Sequence, residues 1–459
     1  MARFLTVGRL LALGLATLLL TSQATADEEP QRHELVIETR NLERLVDNGD
    51  YPAAVESGKR LVLLHMEAFG RNSIETARAL SALAGAQALA GDPASARENY
   101  QAAIAIIEDL QDHLSEELVD PLTGLGRTTL NASRPDLASE ALERALHVNQ
   151  VNTGPQNLEQ VPLLYDLTEA YYQLGDFKQA EALQRYAVGL YERLYPKDDN
   201  KEIIPALYKR ASWQNRMGMF MDEQRTYMKI IRIVERVDGR ASLDLIPALT
   251  RLGRTYLFSA EPDAFLTGQR RLKRAINIAK KNDDATPVIH AETELALGDF
   301  HTLTGDRTSA RRAYVRAWDL MTADDLSLLT ARDERFDTPQ PLRQITPPEQ
   351  FRGTAGAELR EALGREPQFG YVTVAYDVNT RGTPENLRVV ESVPKGLKDR
   401  EALAWVRRLR FRPRFDERKP VTTPDEEFRY EFRYFPSVET DGISAEPEAT
   451  TVAESDDES

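Results

Sequence analysis

The residues most able to do chemistry are six histidines: His33, His65, His113, His147, His290 and His301. Of these, His290, Glu294 and His301 fall at i, i+4 and i+11, so one face of a helix could present all three. Two histidines and a carboxylate are the side chains of a common metal site. Here the spacing defeats it, because eleven helical residues span ~16 Å and ligands must sit within ~2 Å of the ion. His301 also stands four residues before Gly305, at a position expected to pack. The chain has no cysteine, which excludes thiolate zinc sites and disulfides. It has no phosphate-binding glycine loop, no GxSxG elbow and no HExxH. The expectation is therefore no catalytic residue, no metal and no cofactor: a binding protein and not an enzyme.

Charge narrows the partners. The 459 residues carry a formal charge of −15, with 41% hydrophobic and 29% charged residues. A chain this acidic is ill suited to wrapping nucleic acid. Segment 437–459 is expected to be a disordered acidic tail; Glu439 to Ser459 holds eight Asp/Glu and no Lys/Arg. Cations gather instead at Arg407, Arg408, Arg410, Arg412, Arg414, Arg418 and Lys419. That cluster reads either as a patch for acidic partners, or as a solvated helix end or a dock for the acidic tail. Residues 1–26 read as a secretory signal: Arg3 and Arg9, the apolar run Leu10 to Leu20, then Ala24-Thr25-Ala26 before Asp27. The run is shorter than the ~20 residues of a membrane span. The expected location is the periplasm, with only indirect membrane contact unless the signal is retained.

Periodicity supplies the elements. Turn-like spots at Gly49, Gly91, Ser133, Gly175, Gly218, Ala260 and Gly305 are separated by 42, 42, 42, 43, 42 and 45 residues. Five positions after five of the markers stand Ala54, Ala96, Ala138, Ala180 and Ala310, with Glu223 in the fifth unit. Nine after stand Tyr100, Tyr227 and Tyr314; twelve after, Ala103, Ala145, Ala187 and Ala317; seven before, Gly126, Gly253 and Gly298. Small residues at fixed places let the two helices of a hairpin approach closely. A fixed period of this length marks a stacked array. The pattern resembles the tetratricopeptide repeat family, in the longer spacing of kinesin light chains, over about Gln31 to Met321. The resemblance implies about seven hairpins in residues 27–322, wound into a superhelix with a concave, partner-binding surface.

Beyond the repeats the period changes. Residues 323–366, with Pro339, Pro341, Pro347 and Pro348, read as a linker containing a short helix at Arg352 to Leu363. Tyr371 to Val378 alternates as a strand, Asn379-Thr380-Arg381-Gly382 as a hairpin turn, and Asn386 to Val393 as its partner. Lys398 to Leu409 reads as a helix ended by Phe411-Arg412-Pro413. Glu427 to Phe435 alternates again. Residues 367–436 resemble the TonB C-terminal domain, through Gly370-Tyr371-Val372-Thr373-Val374-Ala375-Tyr376-Asp377-Val378, Gly382, Val389-Val390-Glu391-Ser392, Ala402-Leu403 and Arg407 to Pro413. Leu409 stands where that family usually has tryptophan. The resemblance implies that an extended segment of an outer-membrane transporter adds to the last strand. The partner-binding residues would be Phe428, Arg429, Tyr430, Glu431, Phe432, Arg433 and Tyr434.

The expected fold is thus mainly α: a tetratricopeptide-type α-solenoid followed by a small α+β module. The expected function is an exported protein-binding scaffold, accessory to TonB-type transport. Its partners would be other envelope proteins, among them outer-membrane transporters or TonB-system components. The alternative is a membrane-anchored energy transducer whose N-terminal segment stays uncleaved.

Overall fold

The computed structural model describes residues 28–196, 200–322, 325–342 and 368–435. The N-terminal signal, the helix expected at Arg352 to Leu363 and the acidic tail lie outside the described residues.

Seven helical hairpins follow one another: α1 Glu28–Asp47 with α2 Tyr51–Phe69, α3 Ile74–Leu89 with α4 Pro93–Leu110, and α5 Val119–Asn131 with α6 Pro135–Thr153. Then come α7 Val161–Leu174 with α8 Phe177–Leu194, α9 Ile204–Arg216 with α10 Phe220–Val237, α11 Leu245–Thr255 with α12 Ala264–Lys281, and α13 Pro287–Thr304 with α14 Arg307–Leu320. Four hairpins turn on the dipeptide Gly-Asp. Gly49, Gly91, Gly175 and Gly305 take φ of 75°, 85°, 80° and 82°, a region open to glycine because it lacks a Cβ. The following Asp50, Asp92, Asp176 and Asp306 then accept a backbone N–H of the next helix, at 3.3, 3.1, 3.0 and 3.1 Å. One residue breaks the first helix and the next starts the second.

The small residues sit where helices meet. Ala54, Ala96, Ala138 and Ala180 are fully buried. A Cβ on Gly126 would come within 2.5 Å of Leu142, and one on Gly298 within 2.5 Å of the Tyr314 ring. Successive first helices also touch, as α3 does α5, α5 does α7, and α11 does α13. These first helices therefore line the inner side of the curve. In the fifth hairpin the small-residue position holds the buried Glu223, whose carboxylate accepts from Asn215 at 3.2 and 3.0 Å.

Where the sequence reads as linker, the chain instead forms one more helix, α15 Leu326–Phe336, and a two-residue strand, β1 Gln340–Pro341. Phe336 closes over Trp318 and Met321 at the end of the array. The C-terminal module contains β2 Gln368–Val378, β3 Pro384–Val393, α16 Asp399–Val406, β4 Phe411–Arg412, β5 Phe415–Asp416, β6 Lys419–Pro420 and β7 Thr423–Tyr434. Its main sheet is antiparallel in the order β3-β2-β7. Val372, Val374, Tyr376 and Val378 from β2 meet Ala402, Val406, Leu409, Tyr430 and Phe432 in one core. Helix α16 is shorter than the sequence suggests, because Arg407 and Arg408 form a turn that swings Leu409 into this core.

Candidate protein-binding surfaces

Three surfaces are candidates for contact, and the first is internal. Arg412 extends from β4 and donates from Nε and Nη2 to the two oxygens of Asp299 on α13, at 2.9 and 2.8 Å. Tyr314 Oη donates to the same carboxylate at 3.0 Å and shares a hydrogen bond of 2.8 Å with Thr302. Burial works against the Arg412 charge, but Asp299 overrides it and holds the guanidinium more firmly protonated than usual. Burial, followed by the Asp299 charge, drives the Tyr314 phenol well above its ordinary range. A buried charge survives only with such fork-to-fork pairing and full hydrogen bonding.

Around this pair the module is seated in apolar contact. Phe415 packs against Phe336 at 5.0 Å, edge-on to Tyr314 at 5.6 Å, and near Trp318 at 6.3 Å. Strand β1, arriving from α15, pairs with β4 through Gln340↔Arg412 and Pro341↔Phe411. Arg254 on α11 donates to the Leu342 carbonyl, Arg418 pairs with Asp319 at 2.7 Å, and Arg433 reaches the Ser133 carbonyl at 3.4 Å. The module thus sits on both helices of the seventh hairpin, and its last strand reaches the turn of the third. The cationic cluster of 407–419 is not simply a patch for acidic partners. Arg412 and Arg418 hold the protein's own acids, and Arg410 binds the Arg407 and Leu409 carbonyls at 3.0 and 2.7 Å. Sequence reasoning missed Asp299 and Arg412 as partners. The one local signal was an acidic residue set directly after the close-packing Gly298.

The second surface is the edge of β7. Tyr430 and Phe432 are buried in the module core, and Phe428 and Tyr434 are half-buried beside them. These side chains hold the sheet together. Arg429 and Glu431 are exposed on the opposite face, and Arg433 is half-buried there. Arg429 lies 3.7 Å over the Tyr371 ring and Arg433 4.8 Å over Phe369. Tyr371 Oη donates to Glu391 at 2.7 Å, and that bond raises its pKa. Among the described residues no strand pairs with the outer edge of β7. An unpaired edge offers backbone N–H and C=O groups to an incoming strand.

The third surface is the inner face of the middle hairpins. Lys209 stands 6.0 Å over Tyr165, Arg251 4.9 Å over Tyr208, and Arg216 3.9 Å over Tyr172. Each cation comes from the next first helix along the array, so the rungs repeat. Helices α9 and α11 carry Lys209, Arg210, Arg216, Arg251 and Arg254 and no acidic residue. The nearby acids are engaged: Asp166 accepts from Arg127 at 2.6 Å, Glu169 from Arg216 at 2.7 Å, and Glu181 from Arg210 at 3.3 Å.

Of the histidines, His33, His113 and His147 are exposed and His65 and His290 half-buried. His301 is buried beside Phe300 and Phe265. Among the described residues no three metal-ligating side chains converge, and no helix there is long and apolar enough to cross a membrane.

Residues 361–434 match the model of the Gram-negative bacterial TonB protein C-terminal, and residues 45–109 match a tetratricopeptide repeat model. No curated protein matches the chain. Among solved structures, it is similar to BtubC (BKLC) from P. vanneervenii, at 20% identity over 61% of this chain and 90% of that one, with a TM-score of 0.30. A TPR repeat-containing protein from Cytophaga hutchinsonii is 11% identical over 64% of this chain and 98% of its own, with a TM-score of 0.40. The TPR-like repeats of a kinesin light chain from Podosopora anserina are 17% identical over 56% and 99%, with a TM-score of 0.32. The chain thus joins tetratricopeptide repeats, which are protein-binding modules, to a TonB-type C-terminal domain.

Proposed function

We propose that this chain is an exported scaffold of the Gram-negative envelope that serves TonB-type outer-membrane transport. Its TonB-type domain takes an extended segment of a transporter on the edge of β7. Its repeats hold a second envelope protein on the inner face. The observation that carries the reading is the unpaired outer edge of a twelve-residue strand in a domain of this family. Strand addition draws its affinity from backbone hydrogen bonds and its selectivity from alternate side chains. The exposed Arg429 and Glu431 lie next to an added strand and supply that selectivity.

Docking of the domain through Arg412 supports a scaffold in which both surfaces keep a fixed geometry. Photo-crosslinking in living cells tests the proposal. A photoreactive residue at Glu431 should capture an outer-membrane transporter, and one at Arg251 a different protein. Failure of the Glu431 probe to capture any transporter, with the protein exported and folded, would contradict it.

A further inference from the structure

The inner face of α9 and α11 is cationic although the chain as a whole is acidic. Lys209, Arg216, Arg251 and Arg254 are exposed. Glu181 and Glu169 match Arg210 and Arg216, which leaves Lys209, Arg251 and Arg254 with no ion pair among the described residues, beside a row of tyrosines.

Segment 436–459 is the natural counter-charge. It holds eight acidic residues and no basic one. It also leaves the fold at the right place. Arg433, two residues before the last described residue, touches Ser133 in the third hairpin. The fifth and sixth hairpins, which carry α9 and α11, lie two and three hairpins further on. At two helix-packing distances of 8–10 Å per hairpin, the sixth is at most ~60 Å away. A 24-residue segment spans up to ~80 Å when extended.

We propose that segment 436–459 docks on the inner face of α9 and α11, against Lys209 and Arg251, and occludes that face until a competing partner displaces it. The cationic cluster at 407–419 is the competing dock, and there Arg412, Arg418 and Arg410 are already bound to other groups. Helix α12 carries Arg270, Arg271 and Lys273, but it is a second helix and not one of those lining the inner side. A tethered segment acts at millimolar effective concentration. Partners that need this face must overcome it, and added salt weakens the tether.

The test uses a synthetic peptide of residues 436–459 as the probe. Its affinity is measured for the full chain, for a chain ending at Phe435, and for the double variant Lys209→Glu/Arg251→Glu of that shortened chain. Folding of each is checked by thermal melting. The peptide should bind the shortened chain at least about tenfold more tightly than the full chain. That binding should disappear in the double variant. Zero-length amine–carboxyl crosslinking of the full chain should join Lys209 to the segment in preference to Lys273, Lys280 or Lys419. Equal affinity for full and shortened chains, retained binding in the folded double variant, or crosslinks spread evenly over those lysines would each overturn the proposal. None of these results depends on whether β7 takes a transporter segment.

Discussion

Arg412 on the C-terminal module forks both carboxylate oxygens of Asp299 on α13, at 2.9 and 2.8 Å, across 113 residues of sequence. The pair fixes how the module sits on the array. Removing one partner strands the other as a buried charge, at a cost of about 3–5 kcal/mol. Arg412→Ala is expected to release the module from the array, read as new protease cleavage near β1 and a larger radius of gyration by small-angle scattering. The double replacement Arg412→Met/Asp299→Leu removes both charges and should recover most of the lost stability. Unchanged compactness in Arg412→Ala would show that the Phe415 contacts alone hold the module.

Glu223 makes the array sensitive to pH. Burial pushes its carboxyl up to about 7, against the hydrogen bonds from Asn215 and the charge of Arg254. The folded protein therefore favours the protonated acid more than the unfolded chain does. The stability this supplies is complete below about pH 4.5 and is lost as pH rises through about 7. A shift of this size corresponds to about 3 kcal/mol. The melting temperature should fall between pH 5 and 8, and Glu223→Gln should flatten that slope. Equal slopes in the two proteins would show that Glu223 titrates normally.

Gly298 allows Tyr314 to lie against α13. A methyl group there would meet the ring at 2.5 Å. Gly298→Ala should destabilise by about 1–3 kcal/mol through overpacking. Because Tyr314 also donates to Asp299, the variant should loosen the module as well. Denaturant melts should show the loss, while Gly49→Ala, at a turn with nothing within 4 Å of the added methyl, tests backbone strain alone.

Much of this was legible in the chain because it is local. Alanine, tyrosine and glycine recur around each turn since each hairpin solves the same packing problem. Gly-Asp marks the breaks because one residue supplies positive φ and the next caps the following helix. The alternation of Phe428, Tyr430, Phe432 and Tyr434 gave the strand and its buried face. The docking of the module was not legible. In sequence, Arg412 is one of seven cations within thirteen residues, and nothing local tells a solvated arginine from one matched to a distant aspartate. Helix α15 was hidden by the prolines that follow it, and Phe415 stands among Arg414, Asp416, Glu417 and Arg418. Pairings made across a hundred residues depend on tertiary geometry, which periodicity does not encode.

The central claim is that the outer edge of β7 takes an extended segment of a partner as an added strand. Amide hydrogen exchange on the full chain measures it most directly, with and without a synthetic peptide carrying the extended segment by which an outer-membrane transporter engages a TonB-type domain. The account predicts slowed exchange within Thr423–Tyr434 and none in the other edge strand, Pro384–Val393. Unchanged exchange in β7 at saturating peptide, or protection of β3 instead, would contradict it.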